Sequence, residues 1–189
     1  MTMKRRPSGR RPRLQGDFPA MIKSDRLRLC LWDSDLADKA KRTALEAALH
    51  RILTPGVTRH LPETMQLGAA ADAPRVWIDA RRMESQVLLI RDQDSALIGL
   101  ILLAPGIPMC SEDEAHIGYL LAQQSWGKGV ATEALQALIL WLSKHRSGRL
   151  VAGVDSENAA SARVLGKLGF KPMTENTPGA AVLYSRDLG

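Results

Sequence analysis

Gln124-Ser125-Trp126-Gly127-Lys128-Gly129-Val130-Ala131 decides the fold: it is a glycine loop that runs straight into a helix. Before it stands a strand-like apolar run, Ile117-Gly118-Tyr119-Leu120-Leu121. After it, Ala131, Ala134, Leu135, Leu138, Ile139, Trp141 and Leu142 recur at helical spacing up to Ser143. A helix start carries unpaired N–H groups and the positive end of a dipole, so it attracts anions. Glycines let those amides approach a phosphate with no Cβ in between. Strand, loop and helix together predict a seat for a phosphorylated cofactor.

Spacing narrows the choice of cofactor. A P-loop needs four residues between its first glycine and a Gly-Lys-Ser/Thr end, and Gly127-Lys128-Gly129 offers neither. A dinucleotide-binding loop shares the order strand, Gly-x-Gly, helix, second strand (Leu150 to Val154) and then Asp155. However, Thr132 stands where its third glycine or alanine belongs, and the chain contains one plausible βαβ unit only.

Gln124-x-x-Gly127-x-Gly129-x-Ala131 resembles the coenzyme A pyrophosphate loop of the GCN5-related N-acetyltransferases. Asn158-Ala159-Ala160-Ser161-Ala162-Arg163-Val164-Leu165-Gly166-Lys167-Leu168-Gly169-Phe170 resembles their second signature, N-x-x-S-x-R-V-L-x-K-x-G-F. Asp25-Arg26-Leu27-Arg28-Leu29 and the segment Thr54 to Pro62 are similar to stretches of the branch that acetylates ribosomal-protein N-termini. Four segments in register extend the resemblance from about residue 21 to the C-terminus. It implies an α/β fold: a mixed central sheet of about six to seven strands with flanking helices. It also implies acetyl-CoA as cosubstrate, no metal, and a homodimer. Two parallel strands, His116–Leu121 and Leu150–Val154, would part to admit the pantetheine arm, and an amide near Leu120 or Leu121 would polarise the thioester.

The resemblance also suggests roles for single residues. Gly127, Lys128, Gly129, Val130 and Ala131 would bind the pyrophosphate, and Gln124 would order the loop. Lys128 reads equally as a solvated loop lysine. Asn158 would bind the cofactor arm, and it also suits a helix N-cap. Many family members place an acidic tyrosine where this chain has Leu165, so Ser161 becomes the candidate acid for the departing thiolate. The branch usually carries glutamate where His116 stands, and histidine, with an unperturbed pKa near 6.5, is a workable base at neutral pH. Glu112, Asp113 and Glu114 read as a solvated acidic loop, or as groups that relay protons through water or attract a cationic acceptor. His50, His60 and His145 belong to no sequence constellation, and no spacing suggests a metal site. Trp141 fits its helix's apolar face, Trp126 either covers the adenine or anchors the loop, and Trp77 with Arg59 and His60 would line the acceptor cleft.

Composition agrees with one globular domain. The 189 residues are 45% apolar, no apolar run approaches the roughly 18 residues of a membrane span, and no signal-peptide core follows the start. Cys30 and Cys110 match no metal or redox spacing, which favours reduced thiols and a cytoplasmic setting. The formal charge of +6 is misleading, because Lys4, Arg5, Arg6, Arg10, Arg11 and Arg13 supply it before the first acid, Asp17. With Pro7, Gly9, Pro12 and Gly16, residues 1–20 read as a basic, disordered tail, and residues 21–189 as the domain. The tail is either an electrostatic arm for nucleic acid, a ribosome or an acidic partner, or a solvated extension.

The remaining elements follow pattern rules. Residues 26–32 read as a first strand, and Asp33 or Ser34 as the cap of a helix running through the forties. Val76 to Met83 reads as a short helix, and Gln86 to Arg91 with Ala96 to Leu103 as a hairpin. Lys171–Glu175 and Ala180–Arg186 form a closing strand pair. The expected function is acetyl transfer to a primary amine, most like a protein N-terminal amine. The alternatives are a small amine such as a polyamine or aminoglycoside, or a CoA-binding, nucleic-acid-associated module without catalysis.

Overall fold

The apolar runs become strands of a single sheet, and the helical repeats cover its two faces. This is seen in a computed structural model that describes residues 18–105, 114–173 and 181–188. In chain order the elements are β1 (Ile22–Lys23), β2 (Arg28–Leu31), α1 (Asp33–Ala37), α2 (Lys39–Ile52), α3 (Pro55–Thr58), α4 (Ala73–Glu84) and β3 (Gln86–Arg91). There follow β4 (Leu97–Pro105), β5 (Glu114–Leu121), α5 (Val130–His145), β6 (Arg149–Val154), α6 (Ala159–Lys167), β7 (Lys171–Pro172) and β8 (Val182–Asp187). The sheet order is β1-β2-β3-β4-β5-β6-β8-β7. It has eight strands where six to seven were expected, because Ile22–Lys23 adds a two-residue strand at one end; at the other end the first strand of the expected closing pair is Lys171–Pro172.

Alternation along the strands sorts the core into two layers. Leu88, Ile90, Ile101, Ala115, Ile117, Leu121, Leu150 and Ala152 face α5 and α6. Val87, Leu89, Leu100, Leu102 and Leu120 face α2 and α4, with Trp32 and Trp77 meeting edge to face at 6.4 Å among them. Trp77 is only 4% exposed and donates its Nε1–H to the Met65 carbonyl at 3.0 Å. It is therefore a core residue, not a wall of the acceptor cleft. The expected long helix after Trp32 is broken at Asp38, which takes an extended backbone and caps α2 by accepting the Lys41 amide at 2.9 Å. A short acidic side chain satisfies a free helix-start donor better than it extends a helix.

Phe18, assigned to the tail by sequence, stacks on Trp141 at 4.8 Å. Trp141 in turn stacks on His145 at 4.6 Å. The basic segment before residue 18, Cys110, the acidic pair Glu112 and Asp113, and the ends of the closing hairpin at 174–180 lie outside the described residues. Glu114 is described, and it is not a solvated loop residue: it opens β5 and is 8% exposed. The Cys30 thiol is free, and burial pushes its pKa up against the opposing pull of Arg91, so it is held as the thiol.

One irregularity positions everything that follows. β5 and β6 are the parallel neighbours, yet they pair only through Glu114↔Arg149, Ala115↔Leu150 and His116↔Val151. Beyond His116 and Val151 the strands part. On their outer sides β4 and β8 remain paired with them to Leu121 and Val154. The facing edges of the fork thus present backbone groups without strand partners, and buried groups of that kind need some other partner.

Candidate active site

The fork opens toward the glycine loop. Gln123–Ser125 forms a single 3₁₀ turn after β5, and Trp126 ties the turn back by donating Nε1–H to the Leu121 carbonyl at 3.0 Å. The Trp126 ring is 43% exposed, so its indole N–H is the anchor and its face is left free. Gly127 and Gly129 adopt φ of +72° and +75°, left-handed values that carry a steric penalty for any side chain. Gly129 is the N-cap of α5, and the first helical bond runs from the Glu133 amide to its carbonyl at 3.0 Å. The amides of residues 127–132 donate to no acceptor among the described residues. Six consecutive free donors at the start of a sixteen-residue helix fit an anion of pyrophosphate size.

The side chains around these amides divide into anchors and exposed groups. Val130 and Ala131 are buried beneath the helix start, so their contribution at the loop is backbone only. Leu120 and Leu121 are likewise buried. The Ala122 amide donates to the Ile98 carbonyl, and in that register the Leu120 main chain pairs with Leu100 of β4, so of the two it is the Leu121 amide that faces the fork. Gln124 and Lys128 are exposed. The Lys128 carbonyl accepts from Arg26 at 3.2 Å. Asn158 caps α6, its Oδ1 accepting the Ser161 amide at 3.1 Å, so its helix-cap reading holds. Leu165 is 1% exposed and belongs to the core.

Ser161 is brought to the fork by α6, and there it meets a residue that sequence reasoning left aside. Tyr119 Oη donates to Ser161 Oγ at 3.0 Å. Burial raises the phenol's pKa, and the Ser161 bond offsets part of that rise. His116 lies on the opposite face, on the Leu120 side, where pairing between β5 and β6 ends. Its Nε2 is 3.7 Å from Glu114 Oε1, near enough for an ion pair when the imidazole is protonated.

The mouth of the fork holds a second pair. His60 Nδ1 lies 3.1 Å from Asp155 Oδ2, and Arg59 Nε donates to His60 Nε2 at 2.9 Å. The Asp155 carboxyl is held below its usual range, first by the Glu157 amide and then by His60. His60 therefore does belong to a constellation, contrary to the sequence reading. Its partner is 95 positions away, and no spacing rule reaches that far. Donor atoms of His60, Asp155 and Glu157 come within 4.8 Å of one another, a grouping able to hold a cation. The segment carrying His60 bridges the fork. Gly56 approaches Gln123 after β5, Val57 and Leu61 pack on the α2/α4 face, and His60 reaches Asp155 after β6.

A family model described as the acetyltransferase (GNAT) domain matches residues 27–171. The chain belongs to the GNAT acetyltransferases. Among solved GNAT structures, an acetyltransferase from Bacillus anthracis is 20% identical with a TM-score of 0.66, over 87% of this chain and 95% of that one. RimL, a ribosomal L7/L12 alpha-N-protein acetyltransferase solved with coenzyme A, is 20% identical with a TM-score of 0.67, over 88% and 97%. These likenesses establish the GNAT fold. A curated relative, uncharacterized N-acetyltransferase p20 of Bacillus licheniformis, is 41% identical over 58 residues, which is 30% of this chain and 33% of that protein. The matched segment thus spans about a third of that relative's length. Among the described residues, no helix is long and apolar enough to cross a membrane.

Proposed function

We propose that this GNAT domain transfers the acetyl group of acetyl-CoA to a primary amine, and that the amine is a protein N-terminal α-amine. The observation that carries the reading is the fork beyond His116 and Val151, with the free amides of residues 127–132 beside it. An elongated ligand with an anionic end and amide groups along its arm would satisfy both sets of orphan groups. In this reading Gly127, Gly129 and their neighbours hold the pyrophosphate, and of the two expected contacts the Leu121 amide, not that of Leu120, polarises the thioester carbonyl. His116 takes the proton of the attacking amine, and Ser161 supplies one to the thiolate.

The choice of an N-terminal amine rests on the likeness to RimL and on the bridging segment 54–60. That segment packs Val57 against the α2/α4 face and, in this reading, borders the acceptor's approach. A small amine is the second reading, favoured by the imidazole and carboxylates gathered at His60, Asp155 and Glu157. Assembly as a homodimer, and ribosome or nucleic-acid contact by the basic segment before residue 18, complete the proposal.

The test is acetyl-CoA with a mixed pool of N-terminal peptides, ribosomal proteins, polyamines and aminoglycosides, read by mass spectrometry. Acetylated peptide N-termini are expected. Products confined to small amines would move the acceptor class, and acetyl-CoA binding without any product would favour a binding module.

A further inference from the structure

We propose that Tyr119 is the proton source behind Ser161, so that the thiolate is protonated by a two-hydroxyl relay reaching from one arm of the fork to the other. The inference rests on the acetyl-transfer reading above and deepens it. Tyr119 lies on β5 three residues past the last β5–β6 bridge, about 10 Å along the open arm at the usual strand rise. Ser161 stands in the first turn of α6, the helix that follows β6. Their 3.0 Å hydrogen bond therefore ties the β5 arm to the helix that follows the β6 arm, where the sheet has no ladder.

The polarity of that bond decides what it does. A phenol is a much stronger acid than an alkyl hydroxyl, so Tyr119 donates and Ser161 accepts. Ser161 keeps its own proton, and its Oγ donates to no group among the described residues. Each partner is held in place: the Ser161 amide donates to Asn158 Oδ1, and Tyr119 packs against the core between the sheet and α5/α6. Tyr119 lies two residues before Leu121 on β5, and the fork-facing Leu121 amide is the candidate thioester contact, which sets the relay beside the reacting carbonyl in the acetyl-transfer reading.

The step balances as follows. The amine lone pair forms the N–C bond, the C–S bond breaks, and its electron pair goes to sulfur. Ser161 passes its proton to sulfur while Tyr119 passes one to Ser161 Oγ. The resulting phenolate regains a proton from water, and the amine's surplus proton leaves through His116. Burial disfavours a standing phenolate, which returns Tyr119 to its neutral form before the next turnover. Tyr119 acts through Ser161 and is a positioning residue for the proton.

The experiment compares wild type, Tyr119→Phe, Ser161→Ala, Ser161→Thr and the Phe/Ala double variant. Single-turnover acetyl transfer, acetyl-CoA affinity and thermal midpoint are measured for each. Tyr119→Phe should slow transfer about 10- to 100-fold, with acetyl-CoA affinity kept within about twofold. The double variant should be no slower than Ser161→Ala, while Ser161→Thr retains most of the rate. The rate of wild type should depend on deuterium fraction with more curvature than that of Tyr119→Phe. Transfer by Tyr119→Phe at the wild-type rate, a double variant whose losses multiply, or identical isotope curves would each overturn the relay. A loss that merely tracks a fall in thermal midpoint would overturn it too. Absence of transfer by wild type despite acetyl-CoA binding would instead overturn the acetyltransferase reading, and the relay with it.

Discussion

Arg26 and Glu133, 107 positions apart, are bound to each other three times over. The Arg26 amide donates to Oε1 at 2.9 Å, Nε donates to Oε2 at 2.7 Å, and a terminal guanidinium nitrogen lies 2.6 Å from Oε2. The same guanidinium reaches the Lys128 carbonyl, and Ser24 adds a 2.7 Å bond to Glu133. A carboxylate in the first turn of α5 also complements the helix dipole. This cluster fastens the glycine loop to the segment preceding β2.

Replacing Glu133 by Ala should cost about 1 kcal/mol, because the lost bonds are charge-assisted but solvent-screened: Arg26 is 53% exposed and keeps the Lys128 carbonyl, and Ser24 Oγ still accepts the Leu27 amide. Acetyl-CoA affinity should fall with it as the loop loosens. Burial raises the Glu133 pKa, but the Ser24 and Arg26 bonds outweigh burial and hold the carboxyl below its usual range. A depressed carboxylate stabilises the fold above its unfolded pKa, and that contribution is lost as the pH falls. Acid titration of the two proteins should therefore show their stabilities converging below the ordinary glutamate range. A constant difference down to low pH would contradict the assignment.

Gly127→Ala isolates the anion seat. A Cβ at Gly127 would meet no atom within 4 Å, so the fold bears only the strain of φ +72°, about 1–2 kcal/mol. Acetyl-CoA affinity should fall by at least about tenfold, because the methyl stands where the phosphate must approach the amides. Calorimetric titration checks this, and undiminished affinity would move the cofactor elsewhere. Gly129→Glu, which adds negative charge at the N-cap, should abolish binding.

His116→Ala should lower transfer about 10²-fold or more, with acetyl-CoA affinity nearly unchanged. The pH–rate profile is the sharper readout. If the variant keeps the acidic limb of wild type, His116 is not the base.

His60→Ala releases the segment over the mouth from Asp155, so the Michaelis constant for the acceptor should rise while acetyl-CoA affinity holds. Asp155→Asn should act in the same direction, since the imidazole loses its charged partner. Equal acceptor kinetics in wild type and both variants would make the pair merely structural.

Local patterning made most of this fold legible. The glycine loop, the helix after it, the β3–β4 hairpin and the capping asparagine each rest on rules that act over a few residues. Long-range partners were illegible for the same reason. Tyr119 pairs with Ser161 across 42 positions and His60 with Asp155 across 95, and neither separation leaves a periodic trace. A signal for Tyr119 did exist: it shares the strand face of Ile117 and Leu121, so a polar tip was aimed at the later helices. A tyrosine was sought in α6, where Leu165 stands, and the hydroxyl arrives from β5 instead. Trp77 misled because an aromatic residue near a cleft segment looks the same in sequence whether it lines the cleft or supports it.

The parting of β5 from β6 also constrains the kinetic order. The opening passes through the sheet, with Tyr119 and Ser161 on its α5/α6 side and His116 on its α2/α4 side. Donor and acceptor can then arrive by separate entrances, and neither must vacate before the other enters. Initial-rate lines measured at several fixed acceptor concentrations should accordingly intersect and not run parallel, and no acetylated enzyme should accumulate when acetyl-CoA is supplied alone.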